Sequence, residues 1–190
     1  MLLRRSLHPK SVWRMLPLNH TDAGEQAGEL LLEGASARLM LKDCQAVAVF
    51  ACTLGADFDR LVRTVQARSM ADALLMDCCG SALIEEVCDA LQQEILQAVP
   101  YSHGTDRFSP GYGDLPLQLQ FPIIHLLDAQ RKTGIHLTPS GLMNPQKSVT
   151  AFIGLSDAPQ RARIRGCAYC EMKEHCTIRK GGRTCGMESK

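Results

Sequence analysis

Seven consecutive apolar residues, Ala46-Val-Ala-Val-Phe-Ala-Cys52, most constrain what this chain can fold into. The run has β-branched and aromatic members, is short, and stops just before Gly55. A strand with one face in water alternates apolar and polar residues, so a run with no polar member reads as a buried strand. A long helix is predicted over Ala71 to Val99, where Leu74, Leu75, Cys78, Leu83, Val87, Leu91 and Ile95 recur at helical spacing and Pro100 ends the pattern. Shorter helices are expected over Ser36 to Lys42 and Asp57 to Arg68. A weak capping box at Asp22-Ala-Gly-Glu25 predicts another through about Leu32, before Gly34. Leu117 to Lys132 also reads as helical, stopped by Gly134 at C′. Its regular part should begin near Gln120, which leaves Pro122 in the first turn where a proline is tolerated.

Ile135 to Thr138 and Ser148 to Gly154 are expected as strands, separated by a Pro/Gly/Asn loop. The expected class is α+β, with helices packed around a small, mainly antiparallel sheet. The first twenty residues show no clean period and are expected as an arm (1–20). A single domain should follow (21–158), and then a cysteine-rich tail (159–190).

At 190 residues, 45% apolar and 22% charged, the chain is ordinary for a globular protein and long enough to bury a core. No run approaches the roughly 20 apolar residues of a membrane span. The start, MLLRRSLHPK, lacks the apolar region of a secretory signal. Nine cysteines without such a signal point to the cytoplasm and to reduced thiols. The net charge of +1 is uneven: Arg161 to Lys190 carries eight Lys/Arg against three Asp/Glu. No membrane or nucleic-acid partner is expected.

One loop stands out, Arg107-Phe-Ser-Pro-Gly-Tyr-Gly-Asp-Leu-Pro116. Ser109-Pro110-Gly111-Tyr112 reads as a type II turn, with Pro at the second position and Gly supplying positive φ at the third. Gly113 is a second permissive residue, and Leu115 before Pro116 is biased to an extended backbone. The loop is therefore shaped and rigid, with a cation at its mouth. Arg107 reads either as a surface charge salt-bridged to a neighbouring helix or as a fork for a carboxylate or phosphate. Glu85 and Glu86 are candidates for the positive end of such a ligand. Glu85 follows Ser81 and Cys78 along a helix face that is otherwise small or apolar, where a carboxylate is costly unless paired. A zwitterion spanning Glu85 and Arg107 would suit both, although an exposed glutamate on a long helix is the simpler reading.

These residues carry a resemblance. The Arg107-x-x-x-Gly111-Tyr112 loop precedes a helix, then Leu137-Thr138, Ser140, Met143, Pro145 and a Ser148-Val149 strand. In that order they resemble the activation domain of cobalamin-dependent methionine synthase. "ACTLGADFD" and "GSALIEEVCDAL" are similar to small free-standing relatives of that domain, and the likeness spans roughly Val47 to Leu155. Gly113-Asp114 stands where full-length synthases commonly have Pro-Ala, and Pro139 where relatives often have Glu. The strand from Ser148 runs out at Leu155 without their aromatic segment.

The resemblance implies S-adenosylmethionine binding. Arg107 would hold the methionine carboxylate, and the backbone at Ser109 and Gly111, with Tyr112, would meet the adenosine and the sulfur end. Glu85 would receive the ammonium, with Glu86 one position away. It further implies a role in reductive reactivation, in which cob(II)alamin gains one electron and is methylated from S-adenosylmethionine. No segment resembles a corrinoid-, folate- or homocysteine-binding module, so a stand-alone accessory component is expected. Its partner would be methionine synthase, an O-demethylase or another corrinoid methyltransferase. No nucleophile–base pair is evident, and His103 reads as a polar loop residue.

Cys167, Cys170, Cys176 and Cys185 form C-x2-C-x5-C-x8-C, with Gly181-Gly182 between the last two. Such spacing in a cytoplasmic chain reads as metal ligation. Tetrahedral thiolates suit a [4Fe–4S] cluster or zinc. The cluster is favoured because reactivation consumes an electron, and the surrounding positive charge would suit an acidic donor such as flavodoxin, or a ferredoxin. His175 could replace one thiolate, and a set of redox thiols is a further alternative. Cys44, Cys52, Cys78, Cys79 and Cys88 are expected as buried small hydrophobes. Two rival functions remain open: an iron–sulfur electron carrier of a corrinoid system, and a zinc-ribbon interaction module.

Overall fold

The computed structural model describes residues 7–159 and 174–177. The apolar run becomes β4 (Ala46–Thr53), buried at all eight positions. It lies inside a six-stranded antiparallel sheet whose order is β3 (Leu30–Leu32), β2 (Glu25–Ala27), β1 (Lys10–His20), β4, β8 (Ser148–Ser156) and β5 (His103–Gly104). Its neighbours are β1 (Lys10–His20) and β8 (Ser148–Ser156), with Phe50 opposite Trp13 on one side and Ala51 opposite Thr150 on the other.

Both faces of β4 are covered, which explains the absent alternation. Ala46, Ala48, Phe50 and Cys52 pack against α2 (Ala56–Gln66) and α3 (Met70–Ala98), along with Phe58, Ile84, Leu91 and Ile95. Val47, Val49 and Ala51 pack on the other side with α1 (Ala35–Leu41), α4 (Gln120–Leu127) and α5 (Ala129–Thr133). A buried side chain of Phe or Val size contributes roughly 1.5–3 kcal/mol through area removed from water.

Helix α3 follows the predicted span. Ser69 caps it by accepting a hydrogen bond from Asp72 N (3.2 Å), and extended Val99 precedes Pro100. Its buried stripe is Ala73, Gly80, Ile84, Cys88, Leu91 and Ile95. Leu74 and Leu75, expected inside, are each 65% exposed, and Cys78 and Cys79 are exposed as well. Gly80 explains the shift: a Cβ there would meet the Phe58 ring at 2.3 Å, so α3 approaches α2 through its smallest residue.

The N-terminal reading is corrected twice. Residues 10–20 are not an arm but β1, which pairs with β4 from Lys10 to Pro17 and then with β2 (Glu25–Ala27) from Leu18 to His20. Its apolar residues Val12, Trp13, Met15, Leu16 and Leu18 do not alternate cleanly, and only Leu18 is buried. Glu25 to Leu32 is not helical; β2 and β3 (Leu30–Leu32) form a hairpin around Gly28, whose φ is 59°. Burial alternates along both strands, and that pairing outweighs a weak capping box.

Towards the C-terminus, a 3-10 turn (Leu117–Leu119) leads into α4, with Pro122 in its first turn as expected. Left-handed Asp128 (φ 52°) breaks the predicted single helix, and Gly134 (φ 83°) ends α5. A small hairpin of β6 (His136–Leu137) and β7 (Met143–Asn144) precedes β8. No helix among the described residues is long and apolar enough to cross a membrane.

Candidate functional site

The outer edge of β8 is only partly covered. β5 (His103–Gly104) pairs with Ser156 and Leu155. Thr105 N then donates to Gly154 O, and Phe108 exchanges both backbone bonds with Phe152 (3.1 and 2.8 Å). His103, expected in a loop, is therefore a strand residue. After Phe108 the chain leaves the sheet as two consecutive turns. Tyr112 N donates to Ser109 O (3.1 Å) with Gly111 at φ 84°, the type II geometry read from Pro110-Gly111. Leu115 N then donates to Tyr112 O with Gly113 at φ 56°, and Gly111 N donates to Leu115 O (2.8 Å) and closes the loop on itself.

Phe108 and Leu115 are buried and root the loop at both ends. Tyr112 is 40% exposed and stands edge-on to Phe108, ring centres 6.0 Å apart. Ser109, Gly111 and Tyr112 thus share one projecting turn. The side chain of Arg107 points towards α3, where Nη2 donates to Glu85 Oε2 (3.0 Å) and Nη1 to Asp89 Oδ1 (2.5 Å) and Gln92 Oε1 (3.2 Å). Burial works against its charge, but the hydrogen bond to Asp89 and the surrounding carboxylates outweigh it and raise the guanidinium above its ordinary value.

Glu85 is the acidic neighbour of Arg107; Glu86 lines a separate groove with Leu7, Pro9 and Leu54. Asp89 and Gln92 belong to the same group and were missed in the sequence reading. Their spacing from Glu85, four and seven residues on, would have placed them on its helix face. The salt bridge to a neighbouring helix is thus present, and it gathers two carboxylates around the cation.

Beneath this cluster Cys52 of β4 and Cys88 of α3 bring their sulfurs to 3.4 Å in the core. The hydrogen bond between Cys52 and Cys88, with burial, pushes the Cys52 thiol up, and burial pushes Cys44 up to about 12. The same hydrogen bond draws Cys88 down, and all three thiols, Cys44, Cys52 and Cys88, are buried as packing groups. Two buried side-chain oxygens near the site elements lack a hydrogen-bond partner: Thr150 Oγ1 on β8 and Gln120 Oε1 on α4. Gln120 also lines an open cavity of about 820 Å³ with Asp59, Arg63, Thr138 and Asn144. None of the five expected ligand-binding residues lines that cavity.

The later motif residues build the β6–β7 hairpin and its exit: Thr138 Oγ1 bonds Ser140 Oγ (2.9 Å), and Ser148 Oγ donates to Pro145 O (2.6 Å) as β8 begins. Leu117 ties this hairpin to the loop, lying against both Gly111 and Gly141. Of the four tail cysteines, Cys167, Cys170 and Cys185 lie outside the described residues; Cys176 is half-buried. Among the described residues no three His, Cys, Asp or Glu side chains are grouped to hold a metal ion.

The sequence profile of a family described as "Vitamin B12 dependent methionine synthase, activation domain" matches residues 38–174. No curated protein matches the chain. Among solved structures, the chain is similar to one described as "Crystal Structure of the MetH Reactivation Domain bound to AdoHcy", with a TM-score of 0.65 and 16% identity over 95% of this chain and 68% of that one. At that identity the likeness speaks for a shared fold, and it agrees with the antiparallel α+β architecture. The family match runs from within α1 through the 107–116 loop and the whole of β8, and the chain accordingly belongs to the activation-domain family of vitamin B12 dependent methionine synthase.

Proposed function

We propose that this chain binds S-adenosylmethionine at the 107–113 loop and supports reductive reactivation of a cobalamin-dependent methyltransferase. Methionine synthase is the favoured partner. The observation that carries the reading is the Arg107 cluster: a largely covered guanidinium held between Glu85 and Asp89 beside a self-closed, positive-φ turn. The two acidic side chains are 63% and 66% exposed, so each ion pair contributes on the order of 1 kcal/mol or less. A ligand carboxylate can therefore replace one of them on the fork, leaving a carboxylate free for the ligand's ammonium. Ser109, Gly111 and Tyr112 offer backbone and an aromatic edge to the adenosine end. The related structure bound to AdoHcy, the demethylated form of the same ligand, supports this choice.

The chain's contribution to the reaction is positional. The sulfonium already makes the methyl electrophilic, so no side-chain acid or base is required; the site holds the methyl ready for a reduced corrinoid on a partner protein. The electron would come through a [4Fe–4S] cluster on Cys167, Cys170, Cys176 and Cys185, or the same thiolates would bind zinc. Support for either metal is the cysteine spacing alone. A flavodoxin or ferredoxin as donor and a cytoplasmic location belong to the same reading.

Calorimetric titration of anaerobically purified protein with S-adenosylmethionine, alongside Arg107→Ala, tests the proposal. Saturable binding weakened at least tenfold by the substitution supports it, a loss of roughly 1.4 kcal/mol. An intact chain that does not bind would sink it. Visible absorbance of the same preparation separates the metals, because zinc thiolate is colourless.

A further inference from the structure

The ligand loop is tied to a distant part of the chain by one side chain. Asp114 Oδ2 accepts from Ala35 N (2.5 Å) and Oδ1 from Ser36 N (3.1 Å), across 79 and 78 residues of sequence. These amides are the free donors at the start of α1, whose own N-cap is Gly34 and makes no side-chain cap. Asp114 supplies the missing capping carboxylate from outside the helix.

Both backbones are shaped for the contact. A Cβ on Gly34 would lie 2.7 Å from the Asp114 carboxylate, and one on Gly113 would lie 2.8 Å from Ser36 Oγ. Helix α1 is a firm anchorage, since Ala37, Met40 and Leu41 are buried in the core. Asp114 itself sits within the ring closed by Gly111 N and Leu115 O, so its position sets the orientation of the turn that carries Gly111 and Tyr112.

We propose that Asp114 is a positioning residue of the ligand site: by capping α1 it holds the Ser109–Gly113 turn in its binding shape. The role rests on S-adenosylmethionine being the ligand, and the test separates the two claims. Full-length wild type, Asp114→Ala and Asp114→Asn are titrated with S-adenosylmethionine, and amide hydrogen exchange is followed without ligand. Asp114→Ala should weaken binding by roughly five- to tenfold, the size of a lost helix cap. It should also speed exchange at Gly111 and Leu115 while β4 and β8 stay protected. Asp114→Asn keeps an acceptor oxygen and should recover part of the affinity. Phe58→Leu, a core change in the cluster on the opposite face of the sheet, should lower stability without moving affinity, which a merely structural role for Asp114 does not predict.

Unchanged affinity in Asp114→Ala, or unchanged exchange at Gly111 and Leu115, overturns the proposal. If the intact chain fails to bind S-adenosylmethionine, the functional reading falls and the positioning role falls with it. Exchange then decides separately whether Asp114 anchors the loop.

Discussion

The two edges of the main sheet are finished differently. At one edge β1 hands its pairing from β4 to β2, and the three-residue strands β2 and β3 close the sheet as a hairpin. At the other edge β8 gains two paired residues from β5, one backbone bond from Thr105 and a two-bond bridge at Phe108 before the neighbouring chain departs. The first edge uses backbone pairing up. The second leaves part of β8 beside a loop whose own hydrogen bonds hold it in shape. Short edge strands guard a sheet against further pairing. A rigid loop on a rigid edge can carry ligand-binding side chains, and that is where Arg107 and Tyr112 are found.

This contrast predicts that stability and binding separate. Phe50→Ala, in the strand both edges depend on, should cost about 3–5 kcal/mol, read from urea unfolding. A loss below about 1 kcal/mol would mean that β4 is not the common core. Arg107→Ala should reduce S-adenosylmethionine affinity by about 1.5–3 kcal/mol while the melting temperature moves little. A large drop in melting temperature would make Arg107 a structural clamp instead. Gly80→Ala drives a methyl into the Phe58 ring and should destabilise by about 1–3 kcal/mol, with ligand affinity preserved in the folded protein.

The smallest expected effect is at Asp114. Burial would raise its carboxyl, but hydrogen bonds from Ser36 and Ala35 outweigh it and hold the group below the usual carboxylate range. A carboxyl depressed in the folded state stabilises above its unfolded value of about 3.9, and that contribution is lost as pH falls through the folded value. Acid unfolding of Asp114→Asn should therefore show a shallower pH dependence than wild type, with no difference in slope near neutrality. Parallel acid limbs would mean that the carboxylate is not held by α1.

Much of this was legible in the residues. β4 declared itself by having no polar position, α3 by its period and Pro100, and the turn at Ser109–Tyr112 by Pro-Gly. Each is a local signal whose cause lies within a few residues. The β1 strand was not legible, because ten of its eleven positions are at least partly exposed and its stability comes from β4 and β2. The β2–β3 hairpin was lost to a capping pattern too weak to outlast cross-strand pairing. On α3 the period was right and the face wrong at the start, because Gly80, which an apolar pattern passes over, is the point of closest approach to Phe58.

The sequence by itself determined that a buried strand, a long helix and a shaped Arg-to-Tyr loop exist, since propensity, periodicity and backbone permissiveness are properties of short segments. Only the tertiary structure decided that Arg107 meets Asp89 and Gln92 as well as Glu85, that Asp114 caps α1, and that the loop closes an unfinished sheet edge. Those are contacts between segments 15 to 79 residues apart, and their geometry is set by packing around β4.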